Sequence, residues 1–209
     1  VAVGTATHVL TSNGAGAAPT FQAASGGAYT FISSVTPSAS ATIEFTSNID
    51  STYSTYFFLL ENLDHSADGQ LRLELGTGAT PTYQTANYDQ AGQAPDSRDN
   101  LYNGKSAHDA AYIYLSNAGA SDSEYSGSRW NGYLNLYSPS DSAAITYLQS
   151  FITTNDESAG IRLSYTGLGG VWHGGATSPS HTPVTAVKFY PGSGTFTTGK
   201  ISMYGISTS

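Results

Sequence analysis

Hydrophobic residues in this chain come in short runs, and the densest stretch lies at 51–75, STYSTYFFLLENLDHSADGQLRLEL. Its first half carries Tyr56, Phe57, Phe58, Leu59 and Leu60 with no polar break. Successive side chains of a strand point to opposite faces, so this run puts large apolar groups on both and predicts a strand in the middle of a sheet. Burial of all five would contribute roughly 8–15 kcal/mol gross, at about 1.5–3 kcal/mol per side chain. In the second half Leu71, Leu73 and Leu75 alternate with Arg72 and Glu74. That alternation predicts a strand with one face in a core and the other in water. Between the two, Asp64 to Gly69 reads as a hairpin turn, because Asp-Gly suits the left-handed turn positions.

Further strand patterns occur at 28–33, 41–46, 82–88, 111–115, 132–137, 144–153, 160–166, 184–190 and 199–206. No window holds a helical period over three turns. The nearest, 142–153, is rich in β-branched and aromatic residues and reads as strand. Ten or more short strands divided by Gly, Pro, Asn and Ser turns predict an all-β fold, an antiparallel β-sandwich of jelly-roll-like character with no substantial helix. A chain of 209 residues suits one such domain. Residues 1–26 are small and Gly/Ala-rich and read as an N-terminal connector, leaving 27–209 for the sandwich. Three long polar connections, at 89–110, 116–131 and 167–183, are where binding is expected, since long loops on a rigid scaffold commonly carry recognition.

Composition narrows the chemistry. Seven basic residues against fifteen acidic ones give a formal net charge of −8, so no basic surface is available to follow a phosphate backbone and nucleic acid is not expected as a partner. The absence of cysteine removes thiolate nucleophiles and disulfides. No apolar run approaches the ~18 residues of a membrane span, so no membrane insertion is expected. Nucleophile-elbow, phosphate-loop and zinc-protease motifs are absent as well, and the chain reads as a non-enzyme. The carboxylate pairs Asp64/Asp68, Asp96/Asp99, Asp122/Glu124 and Asp156/Glu157 sit in turn-like stretches, where Asp closes turns with its own side chain. His173 and His181 share a Gly-rich loop but lack a third ligand in sequence, so no metal and no cofactor are expected. Fifteen tyrosines, with Trp130 and Trp172 at the ends of long connections, favour recognition. A flat ring with a polar tip offers large contact area at little entropic cost.

Two stretches carry a family resemblance. HVLTSNGAGAAPTFQ resembles the short connector that recurs in bacteriophage tail-fibre proteins, and TGKISMYGIS resembles the closing strand of their tip domains. Between them, IEFTSNIDSTYSTYFFLLENLDHSADGQLRLEL, YQTANYD and RWNGYLNLYSPSD follow in that family's order, and environmental or cyanophage-like fibres are the most similar kind. The resemblance covers nearly the whole chain. It implies an extracellular virion protein, a homotrimeric β-sandwich tip that recognises a host cell-surface glycan or envelope protein and contacts other virion tail proteins. Residues 1–26 would then be a fibre-stalk stub. The family shares no functional residues that carry over to positions here, so the receptor-binding candidates come from the loops: Trp130, Trp172, His173, Tyr102, Tyr125, Arg129, Asp96 and Asp99. Two other readings stay open, a purely structural virion protein and a glycan depolymerase, the latter supported only by the carboxylate pairs.

Overall fold

The computed structural model describes residues 8–23, 27–95, 102–116, 126–156, 162–174 and 182–207. Among these there is no helix, and fifteen strands carry the fold. They are β1 (His8–Thr11), β2 (Thr20–Ala23), β3 (Tyr29–Val35), β4 (Ile43–Phe45), β5 (Thr55–His65), β6 (Leu71–Thr77), β7 (Thr82–Tyr83) and β8 (Tyr88–Pro95). The remainder are β9 (Tyr102–Ala110), β10 (Ile113–Tyr114), β11 (Trp130–Tyr137), β12 (Thr146–Asp156), β13 (Arg162–Trp172), β14 (Val184–Pro191) and β15 (Phe196–Ile206). Every pairing is antiparallel. The larger sheet has eight strands in the order β3-β15-β5-β11-β12-β13-β8-β9. The smaller has β10-β6-β14-β4, with β7 on β6, and β1-β2 form a separate hairpin.

The two sheets enclose one core, as a sandwich. Along β5 burial alternates, with Tyr56, Phe58 and Leu60 inside and Phe57 and Leu59 half-buried outside. Phe58 meets Phe45 and Phe189 of the smaller sheet edge-on, at ring separations of 5.3 and 5.6 Å. Leu71, Leu73 and Leu75 of β6 face the same space. The apolar run in β5 therefore marks a central strand, as its pattern predicts, but its outward half is covered by neighbouring aromatic side chains on the same face instead of by a second layer.

The predicted hairpin at 51–75 is overturned. β5 and β6 belong to different sheets, so residues 66–70 form a corner that carries the chain across the core. A second crossing, from β14 to β15, packs against it. Ser66 N donates to Thr195 O at 3.0 Å, and Gly192 N donates to Gln70 O at 2.8 Å. A Cβ on Gly69 would stand 2.9 Å from Ser193 N, so the Asp-Gly pair answers a close approach of two corners and not a hairpin. Asp68 accepts from Ser126 N at 3.0 Å and closes the corner.

Two other expectations change. Glu74 does not meet water. It is buried on the outer side of the smaller sheet, ion-paired with Lys188 and accepting the Tyr190 hydroxyl at 2.7 Å. Beside it, Lys188 sits over the Tyr83 ring at 4.4 Å, and Arg72 sits over Tyr112 at 4.4 Å. The stretch 89–110 is not one loop either, because β8 and β9 form a hairpin within it; likewise 167–172 belongs to β13 and 130–131 to β11. Gly, Ala, Gln and Ser give these strands little intrinsic β signal, and their pairing is imposed by the neighbouring strand.

Burial raises the pKa values of Tyr88, Tyr83 and Tyr190 above the ordinary tyrosine range, with Glu44 adding to the shift at Tyr83 and Glu74 at all three. The folded state thus prefers the neutral phenols. The stability this contributes is intact below about pH 10, where a free tyrosine starts to ionise, and is lost as pH rises beyond it. Absorbance at 295 nm is expected to show a fraction of the tyrosines resisting ionisation until far-ultraviolet circular dichroism reports unfolding. Smooth titration of all of them before unfolding would contradict that burial.

Candidate functional site

The loop candidates are largely absorbed by the fold. Trp130 opens β11 and is fully buried, stacked on His65 at 4.0 Å and edge-on to Phe196 at 6.2 Å. Trp172 closes β13 and is buried as well. Neither ring can meet a receptor from there, which corrects the expectation for both. Each lies at a strand end that turns it inward, and the strand extends past the point where its pattern fades. Arg129 is exposed just ahead of β11. Tyr102 opens β9. Asp96, Asp99 and Tyr125 lie outside the described residues. His173 follows β13, is mostly buried, and sits in a cluster of polar side chains with Asp89 and Asp109.

What the fold presents instead is the outer face of the larger sheet. Register fixes which residues share it: Phe31 stands opposite Tyr204, Tyr204 opposite Phe57, Phe57 opposite Asn135, Asn135 opposite Gln149, and Gln149 opposite Gly169. In the adjacent row Leu59, Tyr133, Phe151 and Gly167 follow one another. The rings touch in series. Phe31 meets Tyr204 at 5.6 Å, Phe57 stacks on Tyr133 at 5.9 Å, and Tyr133 stacks on Phe151 at 6.3 Å. Tyr147 is 50% exposed, Tyr133 37% and Phe151 36%. Exposed and half-buried aromatic side chains, with Phe57 and Tyr204 6.1 Å apart, thus form a continuous platform over five neighbouring strands.

Next to that platform the floor drops. Gly167 and Gly169 of β13 point outward, and a Cβ on either would meet nothing nearer than 4.0 Å, so packing does not call for glycine at these positions. Gly170, facing inward between them and the core, differs, because its Cβ would lie 2.9 Å from Ile113 Cδ1. Two shallow clefts adjoin at Gly169, one of about 440 Å³ beside Tyr133, Gln149 and Phe151 and one of about 430 Å³ beside Tyr147, Ala91 and Asp89. Together they make an open trough walled by aromatic rings. Its sequence signal was available, since Tyr147, Gln149 and Phe151 alternate in β12 and Gly167 and Gly169 alternate in β13. The small residues, however, read as loop.

At the far end of the trough a β-bulge gathers four titratable groups. Tyr88 pairs with Ala110 and Gln90 with Ala107, so His108 and Asp109 together oppose Asp89. Asp109 takes a left-handed backbone, φ 51°. Its N–H donates to Asp89 Oδ1 at 2.9 Å, and His108 Nδ1 lies 2.8 Å from the same oxygen. The Asp109 N–H, then His108 and His173, hold the Asp89 carboxyl below the usual carboxylate range. A glycosidase acid needs the opposite shift. Donor atoms of Asp89, Asp109 and His173 all lie within 4.8 Å of one another, a spacing that a metal ion can bridge.

Fold and face together define an all-β antiparallel sandwich with an aromatic platform and an open trough on its larger sheet. No family model matches the chain, and neither a curated protein nor a solved structure shows significant similarity to it.

Proposed function

We propose that this chain is a glycan-recognition domain, acting where the sequence resemblance implies, as a virion tail-fibre or receptor-binding tip that engages envelope glycan of a host cell. The observation that carries the reading is the glycine-floored trough. A strand gives up about 0.5–1 kcal/mol for each interior glycine, and at Gly167 and Gly169 no packing contact requires that loss. What the missing side chains leave is room for an extended ligand between the rings of Tyr133, Phe151 and Tyr147. Aromatic faces carry negative charge density and attract the C–H face of a pyranose ring, while Gln149 and Asp89 on the lining supply polar partners for hydroxyls. The clefts fall in the 300–1,000 Å³ range of small-ligand sites. Among the described residues their lining contains no Lys or Arg, and the chain carries a net charge of −8, so neutral glycans are favoured over acidic ones.

Such a shallow site binds weakly in one copy and firmly in several. A second observation favours assembly into the homotrimer that the resemblance implies. Leu10 and Phe31 are 60% and 57% exposed, Val9 and Tyr29 nearly as much, on the N-terminal hairpin and on edge strand β3, where a partner chain would cover them. Light scattering of the purified protein checks this, and a stable monomer would count against it.

Glycan binding is tested by titrating neutral polysaccharides and intact candidate hosts with the wild type, Phe151→Ala and Gly169→Val. Phe151→Ala is expected to weaken binding several-fold to tenfold, the worth of one stacked ring. Gly169→Val is expected to leave stability unchanged or raised by up to about 1 kcal/mol, since valine suits a strand, while blocking the trough. Binding undiminished in Gly169→Val would overturn the assignment, and shortening of the polysaccharide during the assay would turn it toward a depolymerase.

A further inference from the structure

We infer that Asp89, Asp109 and His173 form a binding site for a divalent transition-metal ion of the zinc or manganese type, where β8, β9 and the end of β13 meet. Asp89 also lines the trough, but the inference rests on the bulge and its donor geometry and holds whether or not the trough binds glycan.

The bulge is the first argument. One extra residue in β9 sets His108 and Asp109 against Asp89 alone, and bulges of this kind re-aim side chains next to functional sites. Asp109 holds φ 51°, a conformation that a non-glycine residue adopts at some cost and that points its carboxylate to the same side as that of Asp89. The third ligand comes from another strand. Trp172 pairs with Tyr88, and His173 N continues that ladder by donating to Asn87 O at 3.2 Å, which brings its imidazole over the bulge.

The second argument is donor geometry. His173 Nε2 lies 3.3 Å from Asp109 Oδ1 and 3.9 Å from Asp89 Oδ1. Ligands bonded at about 2.0–2.2 Å to a tetrahedral or octahedral ion sit roughly 3.0–3.6 Å apart, so small rotations complete the site. His173 Nε2 is buried and, among the described residues, makes no hydrogen bond. An imidazole nitrogen shielded from water that faces two carboxylate oxygens without a hydrogen bond to either is placed to share a cation with them. His108 reaches both carboxylates from outside, with Nδ1 2.8 Å from Asp89 Oδ1 and Nε2 3.3 Å from Asp109 Oδ2. That is the position of an outer group that orients metal-binding oxygens.

The donor set decides the class of ion. Calcium and magnesium prefer an all-oxygen shell, whereas one imidazole with two carboxylates suits zinc, manganese, cobalt or nickel. Three protein ligands leave coordination positions for water or an added ligand.

The experiment uses the full chain, stripped with a chelator and then melted with zinc, manganese or calcium chloride, with cobalt chloride added separately to read the visible absorption of the bound ion. Zinc or manganese at a hundredfold excess over Kd is expected to raise Tm by about 5 °C or more. Asp109→Asn and Asp109→Gly both tolerate the left-handed backbone, and their metal-free melts are expected to match the wild type. Each is expected to weaken metal binding at least about a hundredfold, as is His173→Ala, because each removes one of three ligands. The inference is overturned by an unchanged Tm at millimolar zinc and manganese, by binding that survives in the variants, or by calcium binding more tightly than either transition metal.

Discussion

Phe58→Ala is expected to lower the free energy of unfolding by about 3–5 kcal/mol, the range for deleting a buried aromatic side chain. Phe58 has no exposed surface and is the point where the two sheets grip. It touches Phe45 of β4 and Phe189 of β14, so its removal opens a cavity shared by three strands that cannot all close on it. Neighbouring Phe57 lies on the outer face of the same strand, and Phe57→Ala is expected to cost clearly less. Urea denaturation of both variants checks the ordering. Equal losses would mean that the outer aromatic platform is as load-carrying as the core. With domain stabilities commonly at about 5–15 kcal/mol, the Phe58 variant stands near the edge of folding.

Gly132→Ala is expected to be comparably severe, at about 3–5 kcal/mol or enough to prevent soluble expression. Gly132 has φ 150° and lies where the register between β11 and β5 shifts. A Cβ there would stand 2.0 Å from Phe151 O. That oxygen belongs to the backbone of the paired strand, so relief requires breaking the β11–β12 ladder. Asn62, within the same register shift on β5, takes φ 50° and donates its N–H to Asn131 Oδ1 at 2.8 Å. The bulge is thus held by several residues that cannot move independently. A melting temperature for Gly132→Ala within 2–3 °C of the wild type, a shift of about 1 kcal/mol, would show that the ladder yields more easily than its geometry indicates.

Where side chains are large the fold was legible. The continuous run at Tyr56–Leu60 predicts a central strand, and β5 is paired on both sides, by β15 and β11. Leu71, Leu73 and Leu75 predict one buried face, and all three are buried. Sheet membership was not legible, because periodicity reports which face of a strand is buried and says nothing of which strand lies beside it. A short Asp-Gly connection therefore reads equally well as a hairpin turn or as a corner between layers. Strands made of small residues escaped, wholly or in part, for a different reason. β8 and β9 fall in a predicted loop and β13 is predicted only to 166; their pairing energy comes from the backbone ladder, including the distant β13–β8 pair, and not from side chains that periodicity can report.

The candidate site followed the same division. Trp130 and Trp172 attracted the functional reading because they sit near apparent loops, and both fill the core. His173 reads from sequence as a loop candidate for receptor binding, and its partners in the described structure, Asp89 and Asp109, lie far off in sequence and meet it only through the bulge. The aromatic platform was hidden in plain alternation: Tyr133 and Phe151 are outward residues of strands whose inward neighbours, Leu134 and Ile152, are buried.

The pairing of β5 with β15 governs the order of assembly. Tyr56 pairs with Gly205, so one edge of the most apolar strand finds its partner only after almost all the other strands have been made. Until then that edge offers unpaired backbone groups flanked by large side chains on both faces, a template for another unfinished chain. Contacts so distant in sequence also make folding slow. For this protein the route to the folded state is a race between its own late strand and its neighbours, and dilution or low temperature favours the strand.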